Sequence, residues 1–79
     1  MKDALLYILQ SIVSEPKKID IKEEEIDGII NFTVRVANAD MGKVIGRGGK
    51  VIRAIRNVMK IKAIKQNKKI NITLIENSS

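Results

Sequence analysis

Cysteine, histidine and tryptophan are all absent from the 79 residues, and proline occurs once, at Pro16. Without cysteine the chain can form neither a disulfide framework nor a thiolate site, which fits a reducing cytoplasm. Without histidine it lacks the commonest metal ligand and the usual general base near neutral pH. No nucleophile–base pair can then be assembled, so neither catalysis nor a bound metal or cofactor is expected. Aromatic residues are limited to Tyr7 and Phe32. That is too few for an aromatic stacking platform, and both read as core side chains. No apolar run approaches the roughly 20 residues of a membrane span, so no membrane insertion is expected. The opening residues alternate apolar with polar and build no signal-peptide core.

The last absence is one of sign. After Asp40 the only acid is Glu76, against ten bases, whereas residues 1–40 hold eight acids and five bases. The halves therefore carry −3 and +9 within a net charge of +6. Such polarity offers one face to a polyanion and another to something else.

What remains is ample for one small globular domain over 1–79, with a core spanning about 4–75. Hydrophobic content is 44%, too high for a disordered chain, and the length leaves no room for a second core. Asp3 can cap a helix whose apolar residues, Leu5, Leu6, Ile8, Leu9, Ile12 and Val13, fall at helical spacing until Pro16 stops it. Lys18–Lys22 alternates like a strand, Asp27-Gly28 supplies a turn, and Ile30, Phe32, Val34 and Val36 mark a second strand. The acidic run Glu23-Glu24-Glu25 reads as part of a solvated hairpin tip. Asn38 or Asp40 can cap a short helix over Met41–Ile45, and a longer one follows from about Gly49 to about Ala63. On that helix Val51, Ile52, Ala54, Ile55, Val58, Met59 and Ile61 fill half the circumference, and Arg53, Arg56, Asn57 and Lys60 form the opposite strip. A basic loop, Lys65–Lys69, precedes a last strand through Ile70, Ile72 and Leu74, and Asn77-Ser78-Ser79 reads as a loose tail. The order is α-β-β-α-α-β, an α+β domain.

Between the two later helices lies Val44-Ile45-Gly46-Arg47-Gly48-Gly49-Lys50. A glycine turn lets the backbone approach a phosphate with no Cβ in the way. Lys43, Arg47, Lys50, Arg53, Arg56 and Lys60 crowd it, and no acid follows until Glu76. The P-loop pattern Gly-x-x-x-x-Gly-Lys-Ser/Thr does not occur, and a dinucleotide fingerprint would need glycine where Val51 stands. A polyanion cradle is the reading these residues support.

Helix–Gly46-x-x-Gly49–helix over Asp40–Arg56 resembles the signature of KH domains, and the order of elements resembles their type II arrangement. Length, the Glu15-Pro16 junction and the Ala54-Ile55-Arg56 run are similar to stand-alone bacterial KH proteins of the KhpA type. The resemblance implies a three-stranded mixed sheet packed against three helices, and single-stranded RNA held along its backbone by the glycine loop. It implies an apolar wall of Val44, Ile45 and Ile52 beneath the loop. Lys43, Lys50 and Arg53 would form its rim, with Arg47 as a mobile cation at the first variable position and Gly48 side-chain-free at the second. The Lys65–Lys69 loop would close the far side. It further implies a cytoplasmic RNA chaperone or post-transcriptional regulator connected to cell-wall growth and cell-length control. Such a protein would act as a homodimer or with a larger Jag-type KH-containing partner. A protein-interaction module, or a single-stranded DNA binder using the same groove, remains open from the residues alone.

Overall fold

The computed structural model describes residues 1–75, so the expected tail at Asn77–Ser79 lies outside the described residues. Helix α1, Lys2–Gln10, buries Leu5 and Leu9, one turn apart. Asp3 does not cap it. Met1 holds the N-cap position and no side chain bonds the free amides, while Asp3 sits in the first turn, where its charge meets the positive end of the helix dipole. Nor does Pro16 stop the helix, which has already ended at Gln10. There Ser11 Oγ donates to the Tyr7 carbonyl at 2.9 Å, and the amides of Ile12 and Val13 both reach back to Leu9. Pro16 instead opens a 3-10 turn, Pro16–Lys18. Tyr7, expected in the core, is 73% exposed.

Strands β1, Asp20–Ile26, and β2, Ile29–Arg35, pair antiparallel with Ile26 opposite Ile29. The loop is therefore Asp27-Gly28 alone. Both residues take positive φ, 52° and 75°, as the right-handed twist of a two-residue hairpin requires. The acidic run Glu23–Glu25 forms the body of β1 and not the hairpin tip. Only Ile21 of this strand is buried, and charge along an exposed edge discourages pairing with another chain.

Strand β3, Lys69–Ile75, lies parallel to β2, giving the order β1-β2-β3. Parallel neighbours need a crossover, which residues 36–68 supply through α2, Met41–Ile45, and α3, Lys50–Lys65. The register aligns Ile21, Val34 and Leu74 in one row, Phe32 with Ile72 in the next, and Ile30 with Ile70 in a third. These face the helices, whereas the alternate pairs Thr33–Thr73 and Asn31–Asn71 face the other way. Phe32 and Met59 are closed off from solvent in the same core, where a fully buried side chain of this size contributes roughly 1.5–3 kcal/mol.

From α3 the core takes Ile52, Ile55, Met59 and Ala63 only. The half-circumference arc read from the sequence is too wide: Ala54 is exposed, Val58 is 43% exposed and Ile61 57%. A sheet of three strands offers a helix only one stripe of contact. The α-β-β-α-α-β order and the mixed sheet against three helices are those the resemblance implied.

Candidate nucleic-acid interface

Helix α2 ends at Gly46, whose φ of 76° and ψ of 169° lie in a region open to glycine alone. A Cβ there would stand 2.4 Å from Val51 Cγ2 and 2.8 Å from the Val51 amide nitrogen. The turn is thus seated directly on the start of α3. The Gly49 amide donates to the Gly46 carbonyl at 3.1 Å, closing a tight turn over Arg47–Gly49 that kinks at Gly48 and Gly49, both at positive φ, before α3 begins. From the next turn of α3, Arg53 Nη2 donates to the Gly48 carbonyl at 3.1 Å and steadies the loop. Arg47 and Gly48 remain exposed. The opening amides of a 16-residue helix, with the positive end of its dipole, sit at this turn.

What holds α2 in place is a buried carboxylate. Asp40 stands at the N-cap position of α2, yet its side chain bonds none of that helix's amides. It turns to the α1–β1 linker, accepting the Ser14 amide at 2.9 Å, the Ser14 hydroxyl at 2.8 Å and the Glu15 amide at 3.1 Å. The Ser14 amide, above all, holds the carboxyl below the ordinary aspartate range; burial opposes this, and the Ser14 hydroxyl, the Glu15 amide and the Lys43 charge assist. Lys43 Nζ donates to Ser14 Oγ and lies 3.7 Å from Asp40 Oδ1.

Further along α3, from Arg56 on, a cleft of about 560 Å³ runs between that helix and the outer edge of β3. Arg56, Asn57 and Lys60 line it from the helix, and Asn71, Ile72 and Thr73 from the strand. Ile72 and Thr73 point to opposite faces of the sheet, so the cleft wraps around the strand edge, where main-chain groups lack a neighbouring strand. One of them, the Ile72 carbonyl, accepts Arg56 Nη2 at 3.2 Å. Among the described residues no cluster of acids could hold a metal ion, and no helix is long and apolar enough to cross a membrane.

A family model described as KhpA/KhpB, KH domain, matches residues 2–74. The chain belongs to this family. Its fold is accordingly that of a type II KH domain. The chain is 37% identical over 76 residues to the RNA-binding protein KhpA of Chlamydia caviae, covering 96% of this chain and 97% of that protein. It is 39% identical over 75 residues to the RNA-binding protein KhpA of Clostridium perfringens, covering 95% and 100%. To the protein of the same name from Listeria monocytogenes it is 34% identical over 76 residues, covering 96% and 100%.

Within this KH domain the structure brings Gly46, Arg47, Gly48, Gly49, Lys50 and Arg53 together at the turn. The apolar wall is smaller than the resemblance implied. Ile45 is 37% exposed and Ile52 9%, but Val44 has no exposed surface and shapes the site from within the core. Lys43 is drawn toward Asp40 and Ser14, and Arg53 toward Gly48. The Lys65–Lys69 segment does not face the turn. It stands at the opposite end of α3, about 24 Å away at 1.5 Å per residue, and Lys68 there pairs with Glu25 at 2.6 Å. Arg56 and Lys60, read from the sequence as crowding the turn, line the cleft instead. Asn57, Asn71 and Thr73 were not among the residues the sequence pointed to; the strip Arg53-Arg56-Asn57-Lys60 carried a signal for the first, and no sequence pattern showed that β3 would lie alongside.

Proposed function

We propose that the chain binds single-stranded RNA, with the glycine turn gripping phosphates and the α3–β3 cleft receiving bases. One observation carries this reading. The exposed turn at the head of α3 bears Arg47 and Lys50, which have no acidic partner among the described residues, and further along the same helix Arg56 and Lys60 line a cleft against β3. A KH glycine loop clamps about four nucleotides by their backbone. Gly46, Gly48 and Gly49 form the grip, Lys43, Arg47, Lys50 and Arg53 supply charge, and Ile45 supplies apolar surface, supported by Val44 and Ile52 beneath. The matched relatives are named RNA-binding protein KhpA, which supports the same reading.

The family resemblance extends the proposal to a non-catalytic, cytoplasmic RNA chaperone or post-transcriptional regulator connected to cell-wall growth. About four nucleotides give little sequence information, so the working unit is a homodimer or a pair with a larger Jag-type KH protein, which makes the second contact intramolecular. The exposed Val58 and Ile61 on the outer side of α3 offer apolar surface for such a partner.

Replacing Arg47 and Gly48 together with aspartate tests the reading. Position 48 faces open space at φ 64°, a backbone conformation aspartate tolerates better than most residues, so the fold survives. Two carboxylates against phosphates cost several kcal/mol, and affinity for a short single-stranded RNA falls about a hundredfold with thermal unfolding little changed. Unaltered affinity in a folded variant would overturn the assignment.

A further inference from the structure

Asp40 is the one fully buried charged side chain among the described residues, and the binding scheme above makes no use of it. An aspartate at an N-cap ordinarily accepts from the amides of its own helix. Here both carboxylate oxygens turn away from α2 and are taken up by the α1–β1 linker, Oδ1 by the Ser14 amide and hydroxyl and Oδ2 by the Glu15 amide. The linker is shaped to hold them. Pro16 follows directly and keeps Glu15 out of the helical region, at φ −122° and ψ 76°. From Asp40 the chain reaches Gly46 in six residues, about 9 Å at the helical rise. This short lever is fixed by the clasp at its head, by Val44 in the core, and by Gly46 against Val51 at its foot. Beside Gly42 there is only open space, so without the clasp the head of α2 is free to pivot.

We infer that Asp40 is a positioning residue for RNA: its clasp on the linker fixes the tilt of α2 and thereby aims the glycine turn at the phosphates. The inference rests on the single-stranded RNA reading above. A binding constellation works when its donors stand within about 0.5 Å of their places, and a helix of five residues does not hold such a place unaided. Asparagine is no substitute for the clasp. One of its two side-chain atoms is an NH2 group, which meets a backbone N–H donor to donor. Charge and geometry then predict opposite outcomes. Removing the carboxylate raises the positive potential near the turn and frees Lys43, whose ammonium is tied to Ser14 and lies 3.7 Å from Asp40. Electrostatics alone would therefore tighten RNA binding in Asp40→Asn, whereas a misaimed turn weakens it. The sign of the change separates the two.

The test measures fluorescence anisotropy with labelled tetrauridylate on the wild-type chain, Asp40→Asn and Ser14→Ala. It is run at neutral pH and at a temperature where thermal unfolding shows each variant folded. Asp40→Asn binds about tenfold more weakly than wild type. Ser14→Ala loses the hydroxyl bond, keeps both amide bonds, and binds about threefold more weakly. Proton–nitrogen NMR spectra of the RNA-free proteins give a second readout. The amide signals of Gly46, Gly48 and Gly49 shift in both variants, although all of α2 separates them from Asp40. A purely local capping role confines the shifts to the linker and the head of α2 and leaves affinity unchanged. Binding as tight as wild type, or tighter, in folded Asp40→Asn overturns the positioning role and leaves the glycine-turn assignment standing. If Asp40→Asn does not fold, Ser14→Ala, at an exposed position, decides by the same criterion. Failure of the wild-type chain to bind tetrauridylate overturns both.

Discussion

At position 46 the difference between a hydrogen and a methyl group governs how α2 meets α3. The backbone there occupies a region that costs any other residue about 1–3 kcal/mol, and a Cβ would intrude on Val51 from 2.4 Å, an overpacking of similar size. Gly46→Ala should therefore lower stability by about 2–4 kcal/mol. Gly42 sits inside α2 with nothing within 4 Å of its would-be Cβ. Gly42→Ala should stabilise the fold by about 0.5–1 kcal/mol through the lost flexibility of the unfolded chain. Two identical substitutions four residues apart thus move the melting temperature in opposite directions, and thermal denaturation reads both. Equal shifts would mean that the turn is not seated on α3 as described.

Among the elements, α2 has five residues, too few to persist unaided in water. Its anchor is the Asp40 bond set to Ser14 and Glu15, and that anchor depends on pH. The Asp40 carboxyl is lowered in the folded state, so its contribution is fully present above the unfolded value near 4 and is lost as pH falls through the folded one. Asp40→Asn should reduce stability at neutral pH and flatten the acid limb of the stability curve, as followed by urea unfolding between pH 2 and pH 7 (roughly the range over which carboxylates titrate). An unchanged acid limb would show that other carboxylates govern it. Elements with strong internal period were legible from the residues: β2 alternates cleanly, and α3 repeats at helical spacing. Strand β1 was misread because three successive glutamates hide its alternation, only Ile21 being buried. The end of α1 was misread because Ile12 and Val13 keep helical spacing after the chain has left the helix. Periodicity also marks which side chains are apolar without saying how much core exists to receive them, hence the exposed Val58 and Ile61. Tyr7 faces solvent for the same reason. The turn of the candidate site was legible because glycine and charge are local signals. Its cleft was not, since Asn71 and Thr73 join Arg56 only through the parallel pairing of β2 with β3.

For the molecule as a whole, the two charge halves make binding a function of salt. Each phosphate neutralised on a single strand contributes a slope of about −0.7 in log K against log salt. Lys50→Ala should flatten the slope by about that amount. Lys22→Ala, on β1 in the register row of Thr33 and Thr73 and thus on the sheet face away from the helices, should leave it alone. Equal effects in titrations across a salt series would indicate diffuse attraction without a site. The crossover that joins β2 to β3 has a consequence in time. The acidic hairpin pairs residues close in sequence, so it can form early, whereas β3 must wait for residues 36–68 and pays its loop-closure entropy last. During synthesis the chain emerges N-terminus first at about 5–20 residues per second. The negatively charged half is therefore exposed before the positive one, and the cleft has no second wall until Lys69–Ile75 arrives. An emerging chain thus shows acid first, and its basic cleft takes shape only as the last strand pairs.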